Sequence, residues 1–165
     1  VPGLRDRTKV KRHFIGHLQT NKVKGVLELF DVIHSVDSLK LAEEIDKRAR
    51  QLERPAVAAF IEVNVSGEES KQGLPAGEFR DFFMQALRLP RLEWQGLMTM
   101  APLAQGDEVA RFCFRGLRQL SSPFAGEEAL LRLAYLSMGM SNDFELAIEE
   151  GATHVRIGTA LFEGM

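Results

Sequence analysis

One arginine stands where an apolar run should continue. The segment HVRIGTALF (154–162) reads as a final strand and its exit, yet it carries Arg156 between Val155 and Ile157. A guanidinium keeps its proton and can only donate hydrogen bonds. In such a run it serves either a carboxylate on a neighbouring strand, with Glu62 available, or a ligand, and the spacing leaves both open. Gly158 and Thr159 follow at once. A glycine lets the backbone approach a ligand closely, and successive N–H groups can converge on an anion.

A second segment points the same way. SMGMSND (137–143) places Ser137, Gly139 and Ser141 between an apolar run and a helical stretch. Backbone N–H groups at a helix start, with a hydroxyl beside them, suit a phosphate. Ser141 is equally readable as an ordinary N-cap. Other candidates are weaker. HFIGH (13–17) lacks the glutamate of the zinc-protease pattern, since Phe14 holds that position, so His13 and His17 read better as lining or core residues than as metal ligands. His34 and His154 fit no ligand spacing. No Ser–His–Asp set, carboxylate dyad or Cys–His pair assembles from the spacing. The residues thus point to a phosphorylated small molecule more than to a catalytic centre.

The elements that must hold these residues alternate along the chain. Strands are expected over 13–18, 31–36, 56–65, 92–100, 133–140 and 154–162, and helices over 21–30, 37–53, 76–88, 106–121 and 141–151. This βαβα order specifies a parallel sheet, either doubly wound or part of a (β/α)8 barrel. The strands are near-continuous apolar runs, as expected when both faces are covered. In such folds ligands sit at the C-terminal ends of the strands, which is where the serines, Gly158 and Thr159 fall. No G-x-G-x-x-G or Walker A loop opens a helix.

Composition sets outer bounds. The chain has 165 residues, 45% hydrophobic and 27% charged, with a net charge of -2. That argues against a nucleic-acid surface. No stretch is long and apolar enough for a membrane span, and none reads as a signal peptide. The single cysteine, Cys113, reads as a packed thiol, and a cytoplasmic location is expected.

HFIGHLQTNKVK, IHSVDSLKLAEEI, EVNVSGEESKQG, GLMTMAP and LSMGMSNDFELAIEEGATHVRIGTALF occur here in that order. Together, from about residue 12 onward, they resemble the pyridoxal-phosphate homeostasis protein family. The resemblance implies a (β/α)8 TIM barrel of the alanine racemase N-terminal-domain type. It also implies a monomeric, cytoplasmic protein that binds pyridoxal 5′-phosphate (PLP) as a Schiff base and buffers or delivers it, with PLP-dependent apo-enzymes as partners and no firm catalytic activity. The alternative is a PLP-dependent amino-acid racemase of the same fold, for which Tyr135, at a strand's start, stands at the wrong end. By resemblance Ser137, Gly158 and Thr159 hold the phosphate, with Ser141 close by. Arg156 faces the pyridine nitrogen, and Met98 and the His17 region line the wall. The family's anchoring lysine lies in a segment resembling AVSKTKP on its first strand, and its second strand carries a FGENY-like motif. Neither occurs in this chain, which opens at Val1. The expectation is one partial domain over 1–165, about six of the eight β/α units, with the Schiff-base lysine outside it. Lys22, Lys24 and Lys71 do not match that position.

Overall fold

A computed structural model describes residues 10–68, 70–102, 105–122 and 133–162. Among them the strands are β1 (His13–Phe14), β2 (Val32–Val36), β3 (Val57–Asn64), β4 (Leu74–Pro75), β5 (Leu92–Met98), β6 (Tyr135–Met140) and β7 (His154–Arg156). The helices are α1 (Val23–Leu29), α2 (Leu39–Gln51), α3 (Phe79–Ala86), α4 (Gly106–Ser121), α5 (Phe144–Glu149) and α6 (Thr159–Phe162). Single 3-10 turns at Thr20–Lys22 and Ala76–Glu78 lead into α1 and α3.

Helix positions follow from apolar periodicity. In α2, Leu41, Ala42, Ile45 and Ala49 fall on one stripe and are buried. In α4 the buried stripe is Ala110, Cys113, Phe114 and Leu117, with Asp107 and Glu108 at the positive end of the helix. Cys113 is fully packed and its burial raises the thiol above its ordinary range, as its sequence setting suggests. One flank of α4 carries arginines one turn apart. Arg115 reaches Glu150 at 2.7 Å, and Arg111 and Arg118 reach it at 3.5 Å, which ties α4 to the end of α5.

Every strand pairing is parallel, in the order β1-β2-β3-β5-β6-β7, with β4 added beside β3. The sheet is strongly curled. β1 and β7 are its opposite edges, which a flat sheet of six strands would hold about 24 Å apart. Yet the rings of His13 and His154 lie only 6.1 Å apart, across the concave face. The convex face packs on the helices, with Ile33, Ala59, Ile61, Trp94, Leu97, Leu136 and Met138 in that layer. Trp94 is anchored there by its indole N–H, which donates to the Ala86 carbonyl at 3.2 Å, and by Phe82 edge-on at 5.9 Å. The concave face holds a smaller apolar cluster of Val32, Phe60 and Met98, with Ala58 against it.

Two glycines are required by this packing. A Cβ on Gly96 would lie 1.9 Å from the Tyr135 carbonyl oxygen, so β5 and β6 can pair only without one. Gly139 has φ +91°, and a Cβ there would meet the Ala147 Cβ at 2.6 Å.

Three expectations are corrected. The first strand is two residues rather than six, because the chain after Phe14 turns away toward the Thr20–Lys22 turn. The loop 66–75 ends in the short strand β4, held by Val63–Leu74 pairing. The exit from the last strand is helical, and α6 begins at Thr159.

Candidate functional site

The concave face of the sheet is where period-two alternation places His34, Phe60, Glu62, Met98, Ser137, His154 and Arg156. Their outward neighbours Ile33, Ile61, Leu97 and Leu136 fill the helix-facing core.

Arg156 projects from the C-terminal end of β7. One of its terminal nitrogens donates to Ser137 Oγ at 3.0 Å, and the other donates to the Thr99 carbonyl at 2.9 Å. Thr99 is itself pinned, its hydroxyl donating to the Val63 carbonyl at 2.8 Å. The arginine is therefore held in a fixed pose by β5 and β6. Among the described residues no ion pair forms between Arg156 and Glu62. Their interaction is longer-ranged, and it opposes the two larger influences on Glu62. Burial first, then the Asp37 carboxylate, push the Glu62 carboxyl up to about 7. Burial likewise lowers Arg156 below its ordinary value, against Asp143 and Glu62.

The two serines of SMGMS separate. Ser137 is completely buried, its hydroxyl placed between Arg156 and His34, whose Nδ1 lies 2.9 Å away. Ser141 lies farther out, where its Oγ accepts from the backbone N–H of Gly158 at 3.4 Å and of Ala160 at 3.3 Å. Asp143, not Ser141, occupies the residue before α5, and its carboxylate accepts from the Met140 N–H at 2.6 Å. The Ser141 hydroxyl is thus left for the start of α6. Gly158 faces open space, since a Cβ there would meet nothing within 4 Å. Met98 is fully buried in the concave cluster. His17 is not brought to this group. It is half-exposed and lies 3.9 Å from Asp37.

Three histidines, His13, His34 and His154, also line this face. His34 stacks on Phe60 at 4.1 Å and 11°. His154 approaches the same ring edge-on at 5.4 Å, and His13 Nδ1 lies 2.7 Å from His34 Nε2. Burial, then the neighbouring His13, His154 and Arg156, lower His34 to about 3, so it is neutral at physiological pH. Burial also lowers His13 and His154. Three histidines from three distant parts of the chain thus share one apolar floor. The available signal was their common phase: each sits at an inward position of its strand. Among the described residues no group of three or more His, Cys, Asp or Glu is arranged to hold a metal ion. No described helix is long and apolar enough to cross a membrane.

A curled parallel sheet with helices on its convex side is part of an α/β barrel, and comparison with known proteins gives its type. The family model for the alanine racemase N-terminal domain matches residues 3–165. An alanine racemase from Clostridium difficile shares the fold at 16% identity, TM-score 0.74, over 94% of this chain and 41% of that one. Nearer relatives narrow the assignment. A pyridoxal phosphate homeostasis protein of Aquifex aeolicus is 49% identical over 91% of this chain and 65% of its own length. One from Synechocystis is 35% identical over 98% of this chain and 73% of its own. PipY of Synechococcus elongatus, solved with PLP bound, superposes at TM-score 0.85 and 35% identity, over 98% of this chain and 74% of that one. The chain belongs to the pyridoxal phosphate homeostasis protein family. It spans about two thirds of the length of the curated relatives it matches.

Proposed function

We propose that the protein binds PLP at the C-terminal rim of the concave face and acts as a non-catalytic carrier or buffer of that cofactor. The observation that carries this reading is the fixed pose of Arg156 beside the open backbone of Gly158. Two of the five guanidinium N–H groups are engaged by Ser137 and Thr99, which leaves others for a ring nitrogen. A donor-only partner keeps that nitrogen unprotonated, which weakens the ring as an electron sink and suits storage better than transamination. The Thr159 N–H and the Ser141 hydroxyl, with the Gly158 N–H once it exchanges its long 3.4 Å bond to Ser141 for the ligand, would take the phosphate, and Met98 forms part of the floor. Ser137, which the resemblance would put on the phosphate, is instead completely buried beneath Arg156 and supports the arginine. When bound, PLP supplies an aldehyde that bonds reversibly to amines. None of Lys22, Lys24 and Lys71 is assigned that partnership.

The PipY complex supports the ligand, and the names of the relatives support the role. Tyr135 lies at the N-terminal end of β6, edge-on to His154 at 5.4 Å, away from the rim where a racemase base would act. The cytoplasm as the place of action and PLP-dependent apo-enzymes as recipients belong to the same proposal.

Equilibrium dialysis tests the site. PLP is expected to be retained well above pyridoxal, which lacks the phosphate. Gly158→Ala is expected to weaken retention about tenfold with an unchanged unfolding midpoint, because the added methyl meets no protein atom. Equal retention of PLP and pyridoxal would refute the phosphate assignment.

A further inference from the structure

Ser137 Oγ is completely buried and lies between a guanidinium and an imidazole. Arg156 can only donate, so Ser137 accepts from it. A buried hydroxyl hydrogen left without an acceptor is costly. Among the described residues the acceptor within reach is His34 Nδ1, at 2.9 Å. If Nδ1 accepts, His34 carries its proton on Nε2 and donates it to His13 Nδ1 at 2.7 Å. His13 then also carries its proton on Nε2. The opposite direction would leave the Ser137 hydrogen orphaned in the core. The polarity of the whole chain therefore follows from the one member that cannot accept.

We propose that His34, acting through Ser137, is a positioning residue for Arg156, and that the guanidinium fixes both His34 and His13 as neutral Nε2–H tautomers. The positioning half rests on the PLP reading above, whereas the tautomer half is a property of the protein without ligand. The environment of His34 agrees, since it is buried, stacked on Phe60 and neutral at physiological pH. His154 is outside the chain: its Nδ1 lies 2.9 Å from Thr153 Oγ1.

Two measurements test this. With 15N-labelled histidine, the ring nitrogen shifts of His34 and His13 at neutral pH report which nitrogen holds the proton. Both are expected in the Nε2–H form, and an Nδ1–H form of His34 would overturn the proposal. The second compares two variants. Asparagine places an amide oxygen near the position of Nδ1 and can accept from Ser137, whereas leucine cannot. His34→Leu is expected to weaken PLP retention about tenfold, as for a buried hydroxyl deprived of its acceptor, and His34→Asn to restore it to within about threefold of the wild type. PLP retained equally by wild type and His34→Leu would overturn the positioning role while leaving the PLP site intact. Failure of the wild type to retain PLP would overturn the site itself and with it the positioning role, while the nitrogen shifts still decide the tautomers.

Discussion

Replacing Glu62 by glutamine should stabilise the protein, by an amount that grows as pH rises from about 4.5 and is complete above about 7. Glu62 is 2% exposed on the concave face, with Asp37 as the second influence raising its carboxyl and Arg156 the opposing one. In the unfolded chain this group ionises above about 4.5, but in the folded chain it holds its proton up to about 7. Below 4.5 both states are protonated and the carboxyl contributes no pH dependence. Between the two values the folded state binds more protons, so stability falls as pH rises. Above 7 the full penalty is present. A gap of about 2.5 pH units, at about 1.36 kcal/mol each, sets a ceiling of about 3 kcal/mol. Glutamine keeps the shape and removes the charge. Urea unfolding of Glu62→Gln and wild type should therefore coincide near pH 4.5 and differ near pH 8.5, with the variant more stable by up to about 3 kcal/mol and the slopes alike. A difference of equal size at both pH values, or greater stability of the wild type near pH 8.5, would refute the reasoning. The latter would mean that attraction to Arg156 outweighs desolvation.

Further outcomes follow from the same geometry. Stability should fall as pH drops from about 6.5 toward 3, because the unfolded chain protonates His34 while the folded chain keeps it neutral. Glu62 opposes this trend down to about 4.5, so the acid limb should steepen below that value, and His34→Asn should flatten it in urea unfolding series. Gly96→Ala should destabilise by about 3 kcal/mol or more, or abolish soluble expression, because the obstructing atom is a backbone oxygen that cannot move without separating β5 from β6. Thermal unfolding of the purified variant checks it, and a midpoint within a degree or two of wild type would contradict the contact.

Much of the architecture was legible because long apolar runs and helical stripes repeat at fixed periods. The strand Val57–Asn64 is one residue shorter at each end than expected, and the helix Gly106–Ser121 has the expected bounds. The short elements were not legible. Leu74–Pro75 is a strand only because Val63 and Asn64 offer it an edge, and two residues carry no period. The candidate site was legible in part. Arg156, Gly158 and Ser141 stand out as candidates because they lie close in sequence to a turn. The partnership of His34 with Ser137 spans 103 residues, and that of His13 with His34 spans 21. Those meetings depend on parallel register and on the curl of the sheet. Neither is encoded locally.

The position of Trp94 has an optical consequence. It is the chain's only tryptophan, and it lies on the convex side of β5, bonded to the end of α3. The histidines, Ser137 and Arg156 occupy the other side of the same sheet. Tryptophan emission therefore watches the helix layer, while the absorbance of a bound pyridine ring would watch the concave side. Loosening confined to the α3 layer should change the first signal before the second. Comparing the two traces during unfolding would show whether the sheet gives way from its outside or its inside.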